Sequence, residues 1–272
     1  MAEVLLAHRL RIAFSLLLVI AVTAGEVVLP FVIGLALDDY LLGSTRWLVG
    51  LAAIGIGTML AGTVRRLHDV RLYARVYEHA AVSALSPDAG LSANTARLNM
   101  LREVIDFLEY TVPDLVGSLG AFVGTLFFLA RLSMPVFVAA LAMAAVILVV
   151  YALSTGRTLR FNRGYNDEYE RQVDVLRRND IGLARTHIGL LNRWNVRLTD
   201  VDTLNLAASL TLTVGLQVFA IASSARSGMD YGSLLSVVLY VFEFSWAAAM
   251  IPDSWQQYVR LRDIASRLRA FA

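Results

Sequence analysis

Two glutamates, Glu26 and Glu243, stand inside long apolar runs of this sequence. Each lies about a dozen residues from an aspartate, Asp38 or Asp230, that marks the nearer end of its run. At 1.5 Å per helical residue both fall roughly 18–20 Å from that boundary. A hydrocarbon core about 30 Å thick places them near its midplane. Gln217 sits at a similar but shallower depth in another run. Inserting a carboxylate there costs about 3 kcal/mol or more, so it must face protein or water rather than lipid.

Steps of three and four residues put side chains on one side of a helix. Thr23, Glu26, Pro30 and Gly34 share a face of the first run. Ser236, Tyr240, Glu243, Ala247 and Met250 share a face of the last, with Trp246 beside it. Asp202, Asn205, Ser209, Thr213, Gln217 and Ser224 form a polar stripe along the fifth. The candidate cavity or proton-coupling residues are therefore Glu26, Gln217, Glu243, Tyr240, Trp246 and Thr23. Three roles stay open for the carboxylates: packing through hydrogen bonds to neighbouring helices, contact with a solute, or proton coupling. Asp114, closer to the opposite boundary, reads as interfacial.

Other chemistry finds little support. The chain has no cysteine, which excludes disulfides, thiolate metal sites and cysteine nucleophiles. Its four histidines, His8, His68, His79 and His187, show no H-E-x-x-H spacing, so no metal is expected. No nucleophile–base constellation points to an enzyme, and no cofactor is expected.

The elements that must carry these residues are membrane helices. Hydrophobic residues make up 57% of the 272 and charged residues 17%, and the mean hydropathy is +0.62. Soluble domains hold about 45–50% apolar and about 25% charged residues. Six blocks are long enough to span a bilayer: Ile12–Leu37, Trp47–Val64, Val112–Ala130, Pro135–Leu153, Leu206–Ala225 and Tyr231–Ile251. Val22-Thr23-Ala24 mimics a signal-peptide cleavage site, but the apolar run continues past it, so a retained first helix is expected.

All 24 basic residues are arginine. Only Arg46, Arg131 and Arg226 lie in the short connections Leu42–Arg46, Arg131–Pro135 and Arg226–Asp230. The rest flank the other ends of the spans, so the positive-inside rule puts both termini in the cytoplasm. Membrane topology, not nucleic-acid binding, accounts for these basic stretches. Arg65–Ala84 and Thr95–Tyr110 read as helical extensions of spans two and three, broken by the turn residues Ser86–Gly90. Thr155–Asp180 and Arg193–Asn205 extend spans four and five around a short apolar-basic piece, Ile181–Leu191, that tips the second hairpin. The last span continues into an amphipathic stretch, Trp255–Leu268.

Span one ends Leu29-Pro30-Phe31-Val32-Ile33-Gly34-Leu35-Ala36-Leu37-Asp38. This P-x-x-x-G-x-x-x-D ending, the two long internal hairpins and the closing stretch Arg260–Leu268 resemble the transmembrane domain of type IV ABC exporters. The resemblance covers essentially the whole chain. It implies an all-α, six-helix membrane domain over residues 1–272, paired as a homodimer with spans four and five crossing to the partner. It also implies residence in a bacterial inner membrane and transport of an amphipathic solute such as a peptide, siderophore, lipid or drug. The chain has no lysine for a nucleotide-binding P-loop, so no nucleotide-binding domain is expected within it. A separately encoded ATPase would dock at Ser86–Gly90 and Ile181–Leu191. The first hairpin, Arg65–Tyr110, is shorter than the family's usual arms, which leaves that coupling open. A smaller group of the same fold, proton-driven bacterial peptide-uptake proteins, also lacks the ATPase. A non-transporting accessory or immunity protein is the third alternative.

Overall fold

The computed structural model describes residues 8–85 and 91–248. Among them every element is helical: α1 (Arg9–Leu41), α2 (Arg46–Ala84), α3 (Leu91–Asp106), a π-turn (Phe107–Thr111), α4 (Val112–Leu132), α5 (Met134–Glu170), α6 (Gln172–Arg177) and α7 (Ile181–Arg226). A last helix, α8, covers Tyr231–Ala248. Six helical stretches are long and apolar enough to cross a membrane, one at each expected span. Ser86–Gly90, Met250 and the closing stretch Trp255–Leu268 lie outside the described residues.

Several of these helices are far longer than a bilayer needs. α2 has 39 residues, α5 37 and α7 46, so α7 alone reaches about 69 Å. The expected extensions of spans two and five are thus continuous helix, and that of span four is continuous as far as Glu170, with α6 following after a turn at Arg171. Span three reaches its extension through the π-turn instead. Pro113 has no N–H to donate, and the backbone register shifts by one residue just before it, with Val112 donating to Phe107 O. One expectation is corrected. Ile181–Leu191 does not itself make the turn of the second hairpin but is the start of α7. The chain turns earlier, at Asn179, whose φ of 47° is left-handed, a conformation asparagine tolerates. Asp180 then caps α7, its Oδ1 accepting from the N–H groups of Gly182 (2.7 Å) and Leu183 (3.1 Å).

The chain divides into two compact units. The first comprises residues 1–137 and 220–272 and is organised around α1. The P-x-x-x-G-x-x-x-D ending of α1 docks antiparallel on α8. Tyr240 Oη donates to Val27 O at 2.8 Å, Ser236 Oγ to Pro30 O at 2.9 Å, and the Gly232 N–H to Asp38 Oδ1 at 2.7 Å. The two backbones cross at Gly34 and Gly232, where a Cβ on either would overlap the other's carbonyl. Close approach of this kind is how helices gain packing contact in lipid, which offers no hydrophobic drive to associate. Toward the arginine-rich end, Leu72, Tyr73 and Val76 of α2 close a core with Ile105 of α3.

The second unit, Val138–Phe219, is a long antiparallel pair made from α5 and α7. Asn205 Nδ2 donates to Ser154 Oγ at 2.9 Å. Trp194 lies against Gly164 and Phe161, and Arg197 sits over the Trp194 ring at 5.1 Å. Nearer the turn, His187 Nδ1 meets Glu168 Oε1 at 2.7 Å, and Arg171 holds the other carboxylate oxygen at 3.2 Å.

Candidate functional site

Glu26 sits one turn before Pro30 on α1. Because Pro30 lacks an N–H, the backbone carbonyl of Glu26 loses its usual helical donor. The next carbonyls along that face, Val27 and Pro30, receive Tyr240 and Ser236 from α8. Glu243 follows Tyr240 by one turn of α8, so the docking that secures Tyr240 also delivers Glu243 toward Glu26. The two carboxylates lie within electrostatic reach of each other. Arg65 of α2 lies within reach of Glu26.

The exposure of the three differs in a telling way. Glu26 is exposed on the first unit, whereas Glu243 and Arg65 are half-buried. Glu243 Oε2 and Arg65 Nε are individually buried without a hydrogen-bond partner among the described residues. Among the described residues, two carboxylates face one guanidinium, which leaves one acid without a counter-charge. A site of this composition accommodates a proton or a cationic group. An exposed carboxylate at mid-span cannot face hydrocarbon cheaply, so the open side of Glu26 belongs to a water-accessible cavity or to another protein surface.

The remaining candidates fall into three groups. Tyr240 and Thr23 are buried in packing. The Tyr240 ring stacks on Phe128 at 5.0 Å and its hydroxyl is used by Val27 O; Thr23 fits against Gly117 and Gly120 of α4. Trp246 is 70% exposed on α8, pointing away from that packing. Gln217 is half-buried on the part of α7 that belongs to the second unit. There Asn205 and Ser209 of the same stripe are buried, with Asn205 bonded to Ser154 and Ser209 Oγ donating to Asn205 O. Asp114 is exposed near the start of α4.

Arg65 is the member of the cluster that sequence reasoning missed. It reads there as the first charge of a cytoplasmic extension. The signal lay in the Arg65-Arg66 pair, set at the end of a span. An arginine at that position can fold its stem back along the apolar surface, and only Arg65 is half-buried while Arg66 is exposed.

Six helical stretches long and apolar enough to cross a bilayer define an integral membrane protein. Residues 1–228 match the family described as the ABC transporter transmembrane region, and the chain belongs to that family. The matched region ends between α7 and α8, so the helix that carries Glu243 lies beyond it. No curated protein matches the chain.

Proposed function

We propose that this membrane component of an ABC-type transporter is the permease for an amphipathic solute, working as a homodimer with a separately encoded ATPase. The carrying observation is Glu26, exposed at mid-span beside the half-buried Glu243. A second copy facing this surface would enclose the carboxylates in a polar cavity, where they meet the solute. The division of the chain supports the exchange of α5 and α7 between subunits, because these two helices form a unit by themselves. The arginine distribution supports a bacterial plasma-membrane orientation with the long hairpins inside. The chain supplies no ATPase chemistry of its own in this reading. At the turn that opens α7, Ile181 is 87% exposed and Ile188 55%, an apolar tip suited to docking on a soluble subunit.

The test is to purify the protein under mild conditions from its native membrane and assay vanadate-sensitive Mg-ATP hydrolysis. Hydrolysis that disappears when Ile181 and Ile188 are replaced by aspartate supports the split-transporter reading. The unpartnered oxygen of Glu243 favours one second reading, proton coupling. Absence of hydrolysis, together with solute uptake that follows an imposed pH gradient, would replace the first reading by the second.

A further inference from the structure

The first unit carries a second polar feature, nearer the start of α1 than Glu26. A cleft of about 450 Å³ opens between the start of α1 and the middle of α2. Arg11, His68, Arg71 and Arg75 line it, together with the apolar side chains of Val64 and Leu67. Three of the basic groups come from one face of α2 at positions 68, 71 and 75, the spacing of successive helical turns. Arg11 closes the cleft from the opposite helix.

The three arginines of the cleft form no ion pair among the described residues, while His68 is held by its neighbours. His68 rests edge-on against Phe14, with ring centroids 5.2 Å apart, and its Nδ1 lies 3.3 Å from Asp69 Oδ1. Asp69 itself is buried. Arg71 spends one N–H on Leu67 O at 2.9 Å, which fixes its stem and leaves the rest of the guanidinium for a ligand. Neither Arg11 nor Arg75 forms an ion pair among the described residues.

Position identifies the ligand class. The cleft begins at Val64, the last residue of the apolar block of span two, and continues into the charged extension. Its floor is therefore at the edge of the hydrocarbon and its rim at the level of lipid headgroups. Cationic pockets between transmembrane helices at this level suit anionic headgroups, and the guanidinium geometry suits phosphate oxygens. Val64 and Leu67 give the adjoining acyl chains an apolar wall. We propose that this cleft is a binding site for an anionic phospholipid, with its phosphodiester held by Arg11, Arg71 and Arg75.

Native mass spectrometry of the detergent-purified protein tests this with phosphatidylglycerol and phosphatidylcholine of identical chains. The expected result is at least about tenfold tighter binding of phosphatidylglycerol, weakened by added salt. The R11Q/R71Q/R75Q variant should lose that preference, on the order of 100-fold if each charge contributes as it does near an anionic surface. The R11K/R71K/R75K variant should keep most of it. R157Q/R160Q/R163Q, which removes three arginines from α5, should keep all of it. Equal affinity for the two lipids would overturn the proposal, as would a preference that survives R11Q/R71Q/R75Q or is lost equally in R157Q/R160Q/R163Q. Full displacement of phosphatidylglycerol by millimolar inorganic phosphate would assign the cleft to a free anion and overturn the lipid. The salt series on the wild-type protein decides the electrostatic part even if the glutamine variant fails to fold: binding indifferent to salt would sink it.

Discussion

Asp38, at the end of α1, accepts a 2.7 Å hydrogen bond from the backbone N–H of Gly232, the second residue of α8. A carboxylate here satisfies an orphan amide and faces the positive end of the α8 dipole. The aspartate of the P-x-x-x-G-x-x-x-D motif is thus an interhelical cap, and its glycine is the point where the same two helices touch. Asp38→Ala should lower stability by about 1–2 kcal/mol, the usual cost of a lost cap, and Asp38→Asn by less, because an acceptor remains. Gly34→Ala should be worse than Asp38→Asn, since its Cβ meets backbone that cannot turn aside. Thermal unfolding of the purified variants in one detergent gives the order. An Asp38→Ala variant as stable as wild type would mean that the cap contributes nothing.

His187 and Glu168 form a buried pair in the second unit, 2.7 Å apart, joining α7 to α5 close to the turn. His187 is only 4% exposed, and its Nε2 has no partner among the described residues. Removing one member of a buried pair strands the other, whereas replacing both with apolar groups of similar size can be nearly neutral. Glu168→Leu should therefore cost about 1–3 kcal/mol, and Glu168→Leu with His187→Phe should cost less than the single change. Urea or thermal midpoints of the three proteins check this. A double variant no more stable than Glu168→Leu would contradict the pairing.

The spans were legible because each is a block of apolar sequence, a signal that survives without tertiary context. Counting from Asp38 and Asp230 set Glu26 and Glu243 at one level of their helices, and the structure brings the two within electrostatic reach. What pattern could not show was which polar side chains would be absorbed by packing. Tyr240 lies on the same face as Glu243, but its hydroxyl is taken up by a carbonyl of the proline-containing α1, and nothing in α8 announces that. Thr23 disappears against glycines about a hundred residues away. The turn at Asn179 was visible in principle, as an asparagine suited to left-handed backbone followed by a capping aspartate. The π-turn likewise had its warning in Pro113.

The proposed exchange of α5 and α7 between subunits predicts crosslinks that join two chains. The sequence contains no cysteine, so every disulfide in an engineered variant reports the introduced pair. One cysteine is placed in each hairpin, at exposed positions such as Val82 and Ile188, and a panel of neighbouring pairs is oxidised in native membranes. Dimer-sized bands that require both cysteines are expected. Crosslinks confined to single chains across the whole panel would rule out the exchanged dimer.

Arg65 offers the sharpest reading of the acidic cluster, because its worth depends on which charges face it. With Glu26 and Glu243 ionisable, Arg65→Gln removes the one cation of the cluster among the described residues and leaves two acids near each other in a low-dielectric span. The variant should unfold at a lower temperature than wild type. In the Glu26→Gln, Glu243→Gln background the same change should cost measurably less, since no carboxylate then needs a counter-charge. Equal losses in both backgrounds would show that Arg65 is not coupled to the acids. The double glutamine variant also separates the two energy sources. It keeps the shape and hydrogen-bonding capacity of both side chains while removing titration, so an ATP-driven permease should retain transport with an altered affinity for cationic solutes. A proton-coupled carrier should lose gradient-driven uptake in proteoliposomes while its dimer stays intact. Uptake that follows a pH gradient and survives both substitutions would exclude these glutamates as the proton carriers.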